Sequence, residues 1–228
     1  MLDSNLTLPI SQLNANWDGL GDYLLASGLG EKILTLYQND PQEQIRPKFN
    51  DLFNAFTLPL PQVKVVILGQ DPYPSDHAHG LAFSSALDEQ VPKSLVNIIT
   101  TLKCDFGQDY QPNILGVANL SPWVSQGVFL LNTRLTVNKG EPLSKEHDIW
   151  DDFINQVFLR LAKVDHLVYL LWGKYAQDYS QRIDANKNCI IKTVHPSPLS
   201  AYRGFFSSQC FKHTNAYLES QGKTPIKW

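Results

Sequence analysis

Four short apolar runs divide the chain, and each has the length of one strand. They are residues 63–68 (VKVVIL), 128–131 (VFLL), 167–172 (LVYLLW) and 189–194 (CIIKTV). Nearly continuous hydrophobicity over such short runs is typical of strands that are buried on both faces of a parallel sheet. We therefore predict four strands of this kind.

Helical patterns lie between these runs. One stripe follows the spacing of a helix face and comprises Ile149, Trp150, Phe153, Ile154, Val157, Phe158 and Leu161. A second stripe begins at Leu95 and follows Ser94, which we predict to be the N-cap of its helix. Strands that alternate with helices predict an α/β fold, here a three-layer α/β/α sandwich with a central, largely parallel four-stranded sheet.

The organisation of the chain favours one domain. Its 228 residues, of which 43% are hydrophobic, are enough for one sizeable core. We find no internal repeat, low-complexity tract or linker that divides it. The prediction is a single domain over residues 1–228, with roughly the first 15 residues as a loosely packed N-terminal segment.

The composition limits the expected cellular location and the expected cofactors. No apolar stretch is long enough to span a bilayer, and the N-terminus lacks the pattern of a signal peptide, so we expect a cytoplasmic protein without membrane contact. The three cysteines are widely spaced and form no CxxC pair, which disfavours disulfides, zinc and iron–sulfur clusters. His77 and His79 lie close together but have no third ligand in the pattern. We expect no metal and no organic cofactor.

Charge is distributed unevenly along the chain. The net charge is −3, but residues 1–126 carry 6 Lys and Arg against 13 Asp and Glu, and residues 127–228 carry 13 against 9. A basic face confined to one side is compatible with an anionic partner such as DNA. Ordinary solvated lysines give the same pattern, so charge alone does not decide the function.

Chemically capable side chains follow the ends of the predicted strands. The residues that come directly after the four runs are Gly69-Gln70-Asp71, Asn132, Gly173-Lys174 and His195-Pro196-Ser197. Ligands of open α/β sheets bind in the crevice at the carboxyl ends of the strands, so an Asp, an Asn and a His are expected to converge there. Prolines 72 and 74 restrict the backbone around Asp71 and Tyr73, which indicates that both side chains are held in fixed positions.

The motifs at these positions resemble those of the family-1 uracil-DNA glycosylases. The resemblance rests on GQDPY (69–73), AHGLAFS (78–84), LLN and LTV (130–132 and 135–137), LLWGKYAQ (170–177) and HPSPLSAYRGFF (195–206). It extends to KTPIKW at residues 223–228 and covers nearly the whole chain from about residue 15. The five motifs occur along this chain in the same order as in that family.

The resemblance implies a pocket that receives a uracil flipped out of DNA. Phe83 is the face on which uracil stacks, and Asn132 reads its Watson–Crick edge. Tyr73 occupies the space that the methyl group of thymine would need, and the backbone N–H of Gln70 contacts the base. Cytosine has an acceptor and a donor exchanged relative to uracil, so a fixed amide discriminates against it by about 1–3 kcal/mol or more.

The resemblance also implies the catalytic and DNA-binding groups. Asp71 stabilises the cationic sugar and positions the attacking water, while His195 donates a hydrogen bond to uracil O2 as the base departs. Leu199 enters the space that the flipped base leaves. The expected DNA contacts come from Ser94, Gly173, Lys174, Ser197, Leu199 and Arg203. The implied partners are uracil-containing single- and double-stranded DNA and the uracil-glycosylase inhibitor protein of phages, and the implied state is a monomer.

The chain departs from the family pattern at several positions. Pro74 stands where the family usually has His, and the loop from Tyr73 to Ala78 is one residue shorter than usual. Lys174 replaces the usual Ser of the Gly-Ser loop, and Lys93 adds charge to the loop before the second helical stripe, so DNA binding is expected to depend more on salt.

An alternative function remains open at this point. The shortened loop is compatible with a non-catalytic DNA-binding accessory module on the same fold, in which the pocket is inert. A nucleotide-binding α/β enzyme is disfavoured because neither GxGxxG nor GxxxxGK[ST] is present.

Overall fold

The computed structural model describes residues 6–40, 42–144 and 149–228. Its helices are α1 (Ile10–Trp17), α2 (Leu20–Ala26), α3 (Leu29–Gln38), α4 (Lys93–Phe106), α5 (Ser121–Val124), α6 (Asp151–Leu161), α7 (Gly173–Asp178) and α8 (Cys210–Ser220). Its strands are β1 (Ile45–Arg46), β2 (Val65–Gly69), β3 (Val128–Asn132), β4 (Val137–Asn138), β5 (Val168–Trp172) and β6 (Cys189–Thr193). Short 3₁₀ turns connect several of them.

The four predicted strands form one parallel sheet in the order β3-β2-β5-β6. The predicted α/β fold with a central four-stranded sheet is therefore confirmed. The register aligns Gly69 with Asn132 and Trp172 with Thr193, so these strands end at one edge of the sheet. The two-residue strands β1 and β4 form a separate antiparallel pair that the apolar pattern did not predict, because two residues carry no measurable periodicity.

Helices cover both faces of the sheet. On one face, the ring of Phe129 in β3 lies 4.5 Å from the ring of Trp17 in α1. On the other face, the ring of Trp172 in β5 lies 6.0 Å from that of Phe211 in α8. Because side chains alternate between the two faces along a strand, Phe129 and Trp172 point to opposite faces of the sheet. Each face therefore packs an aromatic side chain against a helix. This is the three-layer arrangement that the sequence predicts.

Two local predictions are wrong. The fourth strand, β6, is only partly buried at its edge of the sheet, whereas β3 at the opposite edge is fully buried. Ser94 is not the N-cap of α4. The helix begins at Lys93, after Pro92 with its extended ψ of 133°, and Ser94 lies within the first turn.

One connected core joins the described ends of the chain. Leu8 and Leu13 are buried near the N-terminus, and Trp228 is buried against Phe211 and Trp123. Residues 1–5 of the predicted N-terminal segment lie outside the described residues. Across the described ranges, no helix combines the length and the apolar character needed to cross a membrane.

Candidate active site

The residues that follow β2, β3 and β6 converge on one cavity at the carboxyl edge of the sheet. The cavity has a volume of about 250 Å³. Seven of the sequence-predicted site residues line it, namely Gln70, Asp71, Tyr73, Phe83, Ser94, Asn132 and His195. The expected convergence of an Asp, an Asn and a His is therefore found.

Asn132 presents an amide group to this cavity. The residue is 6% exposed, and within the described ranges its side-chain oxygen and nitrogen have no hydrogen-bond partner in the protein. Among the described residues, its amide atoms do not belong to the fully enclosed side-chain atoms that lack a partner, so they remain accessible from the cavity. This amide is therefore suited to bind a planar polar molecule that offers one donor and one acceptor.

Gly69 makes room for that amide. A Cβ atom added at Gly69 would lie 2.1 Å from Oδ1 of Asn132, and 3.1 Å from Cβ of Ala82. Ala82 is fully buried and has no space to move, so the amide of Asn132 would have to shift into the cavity. The absence of a side chain at the last residue of β2 thus decides where the amide of Asn132 can lie.

Replacing Gly69 with Ala tests this packing. We expect the Gly69→Ala variant to lose about 1–3 kcal/mol of unfolding free energy, and its activity to fall about 10²-fold because Asn132 is displaced. Denaturant unfolding and turnover measure the two effects. The double variant Gly69→Ala/Asn132→Ala removes the clashing oxygen and should recover most of the stability. Simple addition of the two single losses would contradict the explanation.

Phe83 holds an uncommon backbone conformation on the cavity wall. Its φ is +63°, a region that a bulky side chain rarely adopts. The hydroxyl of Tyr73 donates to the carbonyl oxygen of Phe83 at 3.1 Å, and the Phe83 ring packs edge-on against Trp172 at 5.2 Å. Strain of this kind persists only where the surroundings hold it, and it is concentrated at functional sites. The result is a fixed apolar face in the cavity.

Tyr73 is fixed from two sides. Besides its bond to Phe83, its ring meets that of His77 at 6.2 Å, and burial raises the pKa of its phenol. The phenol is therefore neutral at ordinary pH. The side chain acts as a rigid wall whose hydroxyl is already used inside the protein.

Asp71 is a half-buried carboxylate at the mouth of the cavity. Its Oδ2 accepts a hydrogen bond from the backbone N–H of Leu143 at 3.0 Å. Burial raises the pKa of Asp71, while the Leu143 N–H and the positive charge of Arg134 oppose that rise. Removal from water dominates, so this carboxyl binds a proton at a higher pH than an exposed aspartate does.

His195 is oriented by the turn that follows it. The backbone N–H of Ser197 donates to Nδ1 of His195 at 3.0 Å. Burial lowers the pKa of His195, so the neutral ring is favoured at neutral pH. Because Nδ1 accepts a hydrogen bond, the proton of the neutral ring resides on Nε2, which can then donate. Gly173 packs closely behind, since a Cβ there would lie 2.8 Å from Cβ of His195.

The other sequence-predicted residues surround this cavity or lie further out. Ser197 and Gly173 contact His195 directly. Lys174 is exposed in the first turn of α7. Leu199 is 82% exposed, the most exposed large apolar side chain among the described residues. Arg203 is exposed and stacks on the ring of Tyr202 at 5.2 Å.

Sequence reasoning missed the residues that cover Asp71. Pro142 lines the cavity, Leu143 binds Asp71, and the charge of Arg134 acts on the same carboxylate. Arg134 lies two residues after Asn132, which is a signal that was available. Leu143 acts through its backbone, and no side-chain pattern reports that.

The two histidines near Asp71 have partners within the protein. Nδ1 of His77 bonds to the hydroxyl of Ser85 at 2.7 Å, and Nε2 of His79 bonds to that of Ser84 at 2.7 Å. In the part of the chain that the structure describes, no cluster of three ligating side chains is found. A larger groove of about 740 Å³ lies beside α3, but it does not bring together a carboxylate, an amide and an imidazole from different strand ends.

Comparisons with known proteins agree with this geometry. The family model described as the uracil DNA glycosylase superfamily matches residues 56–219. The crystal structure of mimivirus uracil-DNA glycosylase has a TM-score of 0.84 and 28% identity, covering 97% of this chain and 89% of that one. A tyrosine-to-leucine variant of mimivirus UNG in complex with UGI has a TM-score of 0.82 and 32% identity, covering 98% and 89%. UNG from Nitratifractor salsuginis shares the fold, with a TM-score of 0.64 at 20% identity over 91% and 97%.

These matches define an enzyme class, the hydrolytic DNA glycosylases. This chain belongs to the uracil-DNA glycosylase superfamily.

Proposed function

We propose that this cavity removes uracil from DNA in the manner of the family-1 uracil-DNA glycosylases. The observation that carries the proposal is the amide of Asn132, which has no hydrogen-bond partner within the described ranges and lines the same cavity as Asp71 and Phe83. A uracil flipped out of DNA offers the N3–H donor and the O4 acceptor that this amide lacks. The proposal treats residues 1–228 as one catalytic domain, monomeric and cytoplasmic, which needs no metal or organic cofactor.

Base selection follows from three rigid walls. Phe83 supplies the stacking face, and the amide of Asn132 accepts from N3–H and donates to O4. Cytosine presents the opposite pattern and leaves buried groups unpaired, which can raise discrimination to about 10⁴. The ring of Tyr73 blocks the 5-methyl group of thymine, and its bond to the Phe83 carbonyl keeps it from moving aside. The backbone N–H of Gln70 is the proposed further contact to the base.

Bond cleavage requires two charges to be stabilised. As the glycosidic bond breaks, the deoxyribose becomes cationic and the uracil becomes anionic. The ionised carboxylate of Asp71 stabilises the sugar and orients the attacking water, and Nε2–H of His195 donates to O2 of the departing uracil. Water then adds to the anomeric carbon of the sugar and loses a proton, and the uracil anion takes up one proton, so that the net products are an abasic site and free uracil.

The loops around the cavity are proposed to hold the DNA. Ser94 and Ser197 are small polar groups near the cavity, and Gly173 opens α7, where backbone N–H groups are available to a phosphate. Lys174 and Arg203 are exposed cations that can contact phosphates further out. Two similar chains were crystallised in complex with UGI. We therefore propose the uracil-glycosylase inhibitor as a protein partner of this chain.

Release of free uracil tests the proposal. Single-stranded oligonucleotides with one uracil, one thymine or one cytosine at the same position are incubated with the protein in the presence of a chelator. The expected result is an alkali-labile abasic site in the uracil oligonucleotide alone. DNA binding without any release would instead support the non-catalytic accessory module, and release that depends on a metal would contradict the proposed mechanism.

The exposed Leu199 provides a prediction about duplex DNA. Unstacking a base step costs a few kcal/mol, and an inserted apolar side chain offsets part of that cost. The Leu199→Ala variant is therefore expected to excise uracil about 10- to 100-fold more slowly from duplex DNA, while single-stranded DNA is cut at nearly the original rate. The ratio of the two rates is the measurement. Equal losses on both substrates would rule out the wedge.

A further inference from the structure

Residues 139–143, here called the covering segment, touch the loop after β2 at three places. The N–H of Gly140 donates to the carbonyl oxygen of Pro74 at 2.7 Å, and the N–H of Leu143 donates to Oδ2 of Asp71 at 3.0 Å. At the start of the covering segment, Nζ of Lys139 lies 2.9 Å from Oδ2 of Asp76. Three contacts in so short a stretch bind the covering segment to the loop that carries Asp71.

The loop after β2 is also bound to the buried side chain of Arg46. Arg46 of β1 is 5% exposed, and its guanidinium donates to Oδ1 of Asp76 and to the carbonyl oxygens of Glu43 and Ile45. The covering segment leaves β4, which pairs with β1, and the N–H of Lys139 donates to the carbonyl oxygen of Gln44 at 2.6 Å. Asp76 thus connects a fixed arginine with the lysine that begins the covering segment.

We propose that Asp76 is a positioning residue for Asp71. It bridges Arg46 and Lys139, and this bridge holds the covering segment where the N–H of Leu143 meets the Asp71 carboxylate. The inference rests on the proposed function, because it assumes that Asp71 acts on the substrate.

The conformation of Leu143 explains why a bridge is needed. Its φ is +62°, which a leucine rarely adopts, and the residue is exposed, so packing alone does not hold it there. Such a conformation persists when neighbouring contacts determine it. Pro74, which stands where the family usually has His, brings a carbonyl to the covering segment but no side-chain donor for Asp71.

The charged and titratable groups around Asp71 determine how its pKa should change when the bridge is broken. Arg134, which follows β3, and the N–H of Leu143 both favour the ionised carboxylate. His79 and His195 face the same cavity, burial favours the neutral form of each ring, and the Tyr73 phenol is neutral as well. Loss of the Leu143 hydrogen bond therefore moves the pKa of Asp71 further upward, with Arg134 as the remaining opposing charge.

The central variant is Lys139→Gln, which breaks the bridge at its exposed end and leaves the Arg46–Asp76 pair intact. Because the Lys139–Asp76 pair is about half-exposed, we expect the single-turnover rate at saturating uracil DNA to fall about 2- to 5-fold with KM nearly unchanged, and the acid limb of the pH profile to move to higher pH. Lys139→Arg should restore both. Asp76→Asn should show the same changes, but it also leaves Arg46 buried without its carboxylate, so it is the secondary variant.

The matched control is Asp165→Asn. Asp165 pairs with Lys187 at 3.2 Å, both are about half-exposed, and the pair lies at the amino ends of β5 and β6, far from the cavity. This variant should keep the rate and the pH profile of the wild type. A control that loses as much activity as Lys139→Gln would overturn the proposal.

Amide hydrogen exchange separates this inference from the proposed function. In DNA-free protein, the amides of Gly140 and Leu143 should exchange faster in Lys139→Gln than in the wild type or in Asp165→Asn. Unchanged exchange, or an unchanged rate and pH profile, would overturn the positioning role. A wild type that releases no uracil would instead overturn the proposed function, and faster exchange in Lys139→Gln would then still support the bridge.

Discussion

Replacing Asp71 with Asn is expected to lower the rate of uracil release about 10³-fold. In the proposed mechanism the carboxylate faces the sugar that becomes cationic as the glycosidic bond breaks, and a unit charge about 4 Å from it is worth about 4 kcal/mol at an effective dielectric constant near 20. That free energy corresponds to roughly three powers of ten in rate. An amide of the same shape keeps the packing and the Leu143 contact but carries no charge.

The pH dependence gives a second test of Asp71. Burial raises the pKa of this carboxyl, and the proposed mechanism requires its ionised form. Activity is therefore present above the raised pKa and is lost as the pH falls through it. The wild type should show an acid limb above the range of an exposed aspartate, and Asp71→Asn should lack it.

Single-turnover rates at saturating DNA measure this prediction best, because they exclude product release. Asp165→Asn is a suitable control, since it exchanges the same groups at an exposed pair at the other end of the sheet. A loss of less than tenfold in Asp71→Asn, with DNA binding preserved, would remove Asp71 from the reaction.

The second large effect is expected at His195. Removing one preorganised donor to a developing oxyanion costs about 10²–10³ in rate, or about 2.7–4 kcal/mol. His195→Ala should show that loss in kcat with little change in DNA binding. The donor is preorganised because Ser197 fixes Nδ1 as an acceptor and so leaves the proton on Nε2.

The neutral state of His195 also predicts a behaviour with pH. Burial lowers the pKa of this imidazole, so the neutral ring is present above that lowered pKa and becomes protonated only as the pH falls through it. Around neutral pH the rate should therefore not change through titration of His195. A loss under tenfold in His195→Ala, or a titration of His195 near pH 7 by NMR, would contradict its role.

The organisation of the sheet was predictable from the chain alone. The four apolar runs correspond to β2, β3, β5 and β6 because burial on both faces requires continuous hydrophobicity, which is a local property of sequence. In a parallel sheet, all strands end at one edge. The placement of Asp71, Asn132 and His195 around one cavity followed from that rule and from the family motifs.

The hydropathy pattern did not predict the first residue of α4 or the burial of β6, because both depend on local contacts. Helix α4 begins at Lys93, two residues before the start predicted with Ser94 as its N-cap, and β6 is only partly buried although β3 at the opposite edge is fully buried. Hydropathy describes an average environment along an element, so it reports neither the exact first residue of a helix nor the position of a strand within its sheet.

Tertiary structure alone decided the fine geometry of the site. Asp71 and Leu143 are 72 residues apart, and their contact depends on the path of the covering segment over the loop after β2. The same holds for the bridge from Arg46 through Asp76 to Lys139. Periodicity and motifs specify elements and side-chain types. Hydrogen bonds between distant loops depend on how those elements pack, and backbone donors such as the Leu143 N–H are present in every residue except proline.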